Sequence, residues 1–281
     1  MKRIVLVFLL WLPAFSVVAD DYAPYAMPRT EVVLIKDNTA GKQYELYIKL
    51  PENYAANADK RYPVIYTTDA VWHMDLLSGT AEYLMPNAIL VGISWQKDAG
   101  DERAHQSRFR DYTTYESSDA ERQAQNRYGQ ARGHLAFIRN DVITYVDEHY
   151  RTVPEQRGYL GYSLGGAFGA YILFAAPDTF SHYILGSPAL GQRSYDVIDE
   201  LEAKLASEQQ EMTASVFVSI GELEQAEDIS FAQKLMTVLK RRKQTGLVYT
   251  DLQVIKKSTH GTAVPETFIR GIKWFSQLIS K

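Results

Sequence analysis

Apolar residues recur along this chain in two rhythms. Residues 30–36 and 43–50 alternate apolar and polar positions on either side of the run Asp37-Asn38-Thr39-Ala40-Gly41, which is rich in turn formers. That pattern predicts an antiparallel hairpin with one solvated face. Further on the apolar runs are short and unbroken, over 64–66, 88–91, 158–160, 183–185 and 216–218. Such runs suit strands buried on both faces of a parallel sheet.

Stretches of helical period lie between them. Leu135, Ile138, Val142, Tyr145 and Val146 form one stripe ahead of Tyr150, and others cover 164–175, 195–206, 228–242 and 265–279. A final strand is expected over 247–255, just before the last helix. Strands alternating with helices predict βαβ units, and so an α/β fold: a mostly parallel twisted sheet with helices on both faces, preceded by the antiparallel hairpin. Residues 94–132 fit neither rhythm. They are polar and aromatic, with frequent Arg and Tyr, and read as a long functional loop or lid within a single domain spanning 20–281.

The first nineteen residues stand apart from this pattern. Lys2 and Arg3 precede an unbroken apolar run from Ile4 to Leu12, and Val17-Val18-Ala19 supplies a cleavage site after Ala19. This is the layout of a secretory signal peptide. The apolar run is shorter than the ~20 residues that span a membrane, so no lasting membrane anchor is expected. A periplasmic or secreted protein is.

Charge and composition narrow the chemistry. The chain carries 30 Lys and Arg against 34 Asp and Glu, net −4, which provides no basic face for nucleic acid. It has no cysteine, and therefore no disulfide, thiolate metal site or cysteine nucleophile. No HExxH motif or paired carboxylates at metal spacing occur, so neither metal nor cofactor is expected. The expected partner is a small molecule. Nothing in the pattern speaks to oligomeric state.

One motif stands out, Gly161-Tyr162-Ser163-Leu164-Gly165-Gly166. G-x-S-x-G alone is weak, but here a strand precedes it and an apolar helix follows from Leu164. A nucleophile elbow requires that strand–turn–helix setting, with the serine lifted on a strained bend and the next N–H, that of Leu164, aimed at a developing oxyanion. A serine so placed in an α/β-hydrolase is followed in the chain first by an acid and then by a histidine.

Only His182 and His260 lie downstream of Ser163. His182 precedes its strand and sits at the wrong end of the sheet. His260 lies in the polar loop Lys256-Lys257-Ser258-Thr259-His260-Gly261 after the last strand, where it can reach over the bend. The acid belongs to the loop Gly221-Glu222-Leu223-Glu224-Gln225-Ala226-Glu227-Asp228. Glu224 sits deepest in it and ranks first, with Asp228 and Glu222 as alternatives. Glu227 and Asp228 also suit the first turn of a helix, where a carboxylate favours the dipole.

Further runs carry a family resemblance. They are Tyr62-Pro63-Val64-Ile65-Tyr66 leading to Asp69, Arg108-Phe109-Arg110-Asp111-Tyr112-Thr113, Pro177-Asp178-Thr179-Phe180, Ser187-Pro188-Ala189, Gly221-Glu222-Leu223-Glu224 and His260-Gly261. Together with the elbow, the chain resembles the esterase-D-like esterases of the α/β-hydrolase fold, which include trilactone siderophore esterases, feruloyl esterases and mycolyltransferases. The resemblance implies Glu224 as the acid. It also implies a second oxyanion N–H just after Asp69, from Ala70 or Val71, although the family commonly has glycine where this chain has Ala70. It places Arg108 at the mouth of the site as a substrate-binding residue, the alternative being a surface Arg paired with Glu102 or Asp111. Trp72, Trp95 and Tyr112 wall the pocket or pack.

The expected reaction is hydrolysis of a carboxylic ester through an acyl-enzyme on Ser163, with a bulky polar or siderophore-type ester as substrate. Acyl transfer by the same residues, or a catalytically dead binding module on the same scaffold, are the competing readings.

Overall fold

In a computed structural model, which describes residues 26–280, nine strands form one sheet. They are β1 (Thr30–Lys36), β2 (Gln43–Lys49), β3 (Tyr62–Thr67), β4 (Ile89–Ile93), β5 (Thr152–Tyr162), β6 (His182–Gly186), β7 (Ser215–Gly221), β8 (Val248–Tyr249) and β9 (Gln253–Ile255). Their order is β1-β2-β4-β3-β5-β6-β7-β8, with β9 beside β7. The β1–β2 hairpin and the β2–β4 junction are antiparallel, and every other pairing is parallel. The expected signal peptide, residues 1–19, lies outside the described residues.

Each long parallel strand divides its side chains between two cores, with the period of two that a pleated strand imposes. In β3, Val64 and Tyr66 face one core and Ile65 the other. The smaller core is capped by α1 (Ala70–Leu84) through Met74, Leu77 and Ala81, and by the C-terminal helix (Val264–Ile279) through Phe268, Ile272 and Phe275. The larger core lies under the helices over Ala131–Phe137 and Thr144–His149, joined by a π-helical turn at Ile138–Ile143, and under Leu164–Ala175, Gln192–Ser207 and Ala226–Arg241. Each fully buried Leu or Phe there contributes about 1.5–3 kcal/mol.

Three departures from the sequence pattern have physical reasons. Helix α1 is not marked by an apolar stripe: its buried face runs through Ala70, His73, Met74, Leu77, Ser78 and Ala81, while Val71 and Trp72 stay half exposed. The last strand is broken into β8 and β9, because the register against β7 slips by one residue between Val216↔Tyr249 and Ser219↔Gln253. An extra residue on one strand is a bulge. The segment from 94 to 132 is not irregular throughout and holds three short helices, Asp101–Ala104, Ser107–Asp111 and Ala120–Asn126.

The C-terminal edge of the sheet is strained. Four strands lead there to a non-glycine residue with positive φ: Asp69 (55°) after β3, Ser163 (56°) after β5, Ser187 (38°) after β6 and Lys257 (54°) after β9. Such conformations cost on the order of 1–3 kcal/mol each and gather where function needs them.

Candidate functional site

Tyr162 ends β5 and Leu164 opens the next helix, which leaves Ser163 on the bend between them at φ 56°, ψ −119°. The bend is possible because residue 161 is glycine; a Cβ there would lie 2.3 Å from the Gly165 carbonyl oxygen. Both sides of the bend are pinned. The Ser163 N–H donates to Gly186 O at 2.9 Å, and its carbonyl accepts from the N–H of Ala167 (3.0 Å) and Ala189 (2.9 Å).

Ser163 opens on a cleft of about 400 Å³ whose lining includes Ser187, Leu223, Glu224, Asp228 and His260. Among the described residues no direct hydrogen bond joins the Ser163 hydroxyl to His260, a looseness common in such pairs without substrate. His260 Nδ1 lies 2.7 Å from Glu224 Oε2. That contact raises the imidazole pKa above its ordinary value against the opposing effect of partial burial, with the charge of Asp228 adding to the rise. Glu224 is itself held from three sides. Its Oε1 accepts from Ser187 Oγ at 2.6 Å and from the Gly221 N–H at 2.7 Å. Burial alone would push this carboxyl up, but its hydrogen bonds from His260, Ser187 and Gly221 outweigh burial and hold it below the usual value.

The other candidates fall elsewhere. Glu222 turns outward, where Lys256 Nζ and the Lys257 N–H donate to it at 2.8 Å each. Asp228 lines the cleft without a hydrogen bond to the imidazole among the described residues. His182, at the far end of β6, stacks on Phe275 at 4.3 Å, and burial lowers its pKa to about 4.

The two N–H groups expected to face an oxyanion both open helices: Leu164 after β5, and Ala70 at the start of α1 after the neighbouring β3. The first N–H groups of a helix have no partner within it. The two turns are tied together by Tyr159, whose hydroxyl donates to Gly165 O at 2.7 Å and accepts from Thr68 Oγ1 at 3.1 Å. Ala70 is buried, whereas Val71, one residue on, is half exposed.

Arg108 pairs with a residue other than its sequence neighbour Asp111. Its Nε and Nη2 reach Asp69 Oδ1 and Oδ2 at 2.9 and 2.8 Å, a bidentate clamp on a fully buried carboxylate. Trp95 Nε1 donates to the same Oδ1 at 2.7 Å. The guanidinium also lies 5.1 Å from the Trp72 ring, which meets Trp95 edge-on. Asp111 is occupied by Arg110, at 2.8 Å to each oxygen, and by the Tyr44 hydroxyl at 2.9 Å. Tyr112 is buried and stacked on Phe168. The Arg-x-Arg-Asp-Tyr run thus fastens the 94–132 segment to the sheet, and Arg108 does so at the residue before Ala70.

Two residues at the site were given no role by the sequence: Tyr162, whose hydroxyl donates to the His260 carbonyl at 2.5 Å, and Ser187 on Glu224. Both stand in runs already noted, Gly161 to Gly166 and Ser187-Pro188-Ala189, but a run does not say what its hydroxyls reach.

A sheet of this order, with a strained serine after its fifth strand and an acid and a histidine delivered by later loops, defines an α/β-hydrolase. The comparisons agree. The chain belongs to the Putative esterase family, whose model matches residues 38–263, and it is a carboxylic ester hydrolase. It is 26% identical over 216 residues to the ferri-bacillibactin esterase BesA of Bacillus subtilis, covering 72% of this chain and 73% of that protein. It is 25% identical over 241 residues to the siderophore triacetylfusarinine C esterase of Aspergillus fumigatus, covering 80% and 78%. The crystal structure of the BES protein from Bacillus cereus matches with a TM-score of 0.77 at 22% identity, over 91% of this chain and 98% of that one.

Proposed function

We propose that hydrolysis runs through an acyl-enzyme on Ser163. His260 takes the hydroxyl proton as Oγ attacks the ester carbonyl, and Glu224 orients the imidazole and stabilises its charged form. The N–H groups of Leu164 and Ala70 receive the oxyanion, each worth about 3 kcal/mol in the transition state. The alcohol leaves with the proton from His260, and water, deprotonated by the same imidazole, releases the acid. The observation that carries this reading is the sharing of one cleft by the strained Ser163 and the His260–Glu224 pair.

The test combines p-nitrophenyl acetate turnover with covalent trapping. Ser163→Ala should lower the rate by several orders of magnitude, and a fluorophosphonate adduct should map to Ser163 by mass spectrometry. Equal rates for the variant and the parent would overturn the assignment.

The substrate we infer is a bulky polar ester of siderophore type. The names of both curated relatives support it, as does a cleft of about 400 Å³ beside Ser163 lined by the polar Ser187, Glu224, Gln225, Asp228 and Thr259. Faster turnover of short acyl esters than of an intact siderophore trilactone would refute it. An export signal over residues 1–19 would put this reaction in the periplasm or outside the cell, which fractionation of the tagged protein checks.

A further inference from the structure

Tyr162, the residue before Ser163, is buried with its hydroxyl between two groups. One is the His260 carbonyl oxygen at 2.5 Å and the other is Ser187 Oγ at 2.8 Å. Its ring lies 5.2 Å from the His260 ring. Room for it depends on glycine at 186, where a Cβ would come within 2.4 Å of Tyr162 Cδ2. Burial pushes the phenol pKa up to about 12, so at neutral pH it is a donor.

A count of protons shows how this network is constrained. Three contacts run from Glu224 to Ser187, from Ser187 to Tyr162 and from Tyr162 to the His260 carbonyl, and only two hydroxyl protons serve them. An ionised carboxylate and a carbonyl can only accept. When Ser187 donates to Glu224 and Tyr162 donates to His260, the contact between the two hydroxyls holds no proton. When Tyr162 turns its proton to Ser187, the His260 carbonyl loses its donor. The phenol therefore divides its proton between the backbone of one member of the pair and the support of the other.

His260 has need of such an anchor. Its side chain is 48% exposed, and among the described residues its imidazole has one hydrogen-bond partner, Glu224. We propose that Tyr162 is a positioning residue: it ties the strand that carries Ser163 to the backbone of His260 and so sets the imidazole's place over the serine. Ser187 is its counterpart on the acid and adjusts the basicity of Glu224. This rests on the reading of Ser163, His260 and Glu224 as the catalytic groups, and both positioning residues act through those groups.

Tyr162→Phe and Ser187→Ala test it, with p-nitrophenyl acetate as substrate and active sites counted by fluorophosphonate titration. Tyr162→Phe should lower kcat per site by about tenfold to a hundredfold with KM nearly unchanged, the scale of a small misplacement of a catalytic group. Ser187→Ala removes a donor from Glu224, makes the carboxylate more basic and should move the acid limb of kcat/KM to higher pH. A merely structural role would move neither kcat per titrated site nor that limb. A Tyr162→Phe kcat within about twofold of the parent, a loss confined to KM, or a Ser187→Ala limb that stays put would each overturn the proposal. If Tyr162→Phe fails to fold, the Ser187→Ala limb decides. Ser163→Ala in the same series separates the two ideas: a rate equal to the parent's there sinks the catalytic reading itself, whereas a Ser163→Ala slowed by orders of magnitude beside a fully active Tyr162→Phe sinks only the positioning.

Discussion

A histidine accepts a proton only when neutral, and His260 is held above the ordinary imidazole pKa of ~6.5 by its bond to Glu224. The sign of the pH dependence follows. As pH falls through that raised value, His260 becomes protonated and can no longer take the Ser163 proton, so kcat/KM should decline on the acid side beginning above pH ~6.5. Asp228 contributes to the same rise through its charge. Asp228→Asn should therefore slide the acid limb toward lower pH while the plateau rate changes little, as a buffer series with a neutral ester would read out. A limb that moved upward, or not at all, would contradict the electrostatic account of this cleft.

At the scale of elements, the segment between β4 and the helix at 131 is joined to the sheet by charge. Asp69 is fully buried and Arg108 nearly so, and breaking such a pair from one side leaves a carboxylate without its counter-ion. Arg108→Met should lower stability to urea by about 3–5 kcal/mol, and Arg108→Lys should recover only part, since an ammonium cannot bridge both oxygens. This clamp was not legible in the sequence because its members stand 39 residues apart and follow no period. The Tyr162–Ser187 contact, 25 residues apart, was hidden for the same reason. What could be read was local: the alternation of the hairpin, the unbroken strand runs, and the order of bend, acid loop and histidine loop that brings Ser163, Glu224 and His260 to one cleft. Helix α1 escaped because histidine, serine and alanine make up much of its inward face, and apolarity does not mark it.

At the scale of the whole molecule, the end of the sheet away from the cleft contributes to stability and has no part in the chemistry. Phe275 of the C-terminal helix is fully buried beside His182, at the N-terminal end of β6 and away from the cleft. Phe275→Ala should cost about 3–5 kcal/mol in a denaturant titration, yet leave kcat within about twofold of the parent at temperatures where the variant is folded. The other end is built differently: Asp69, Ser163 and Ser187 are held in left-handed backbone that the surrounding strands over-determine. Selection for heat tolerance alone would find a quick gain at Ser163, where glycine relaxes the bend and no side-chain bond is lost, and that gain would abolish turnover. Lineages that hardened this enzyme without dulling it would have to do so from the opposite rim, leaving the contorted posts alone.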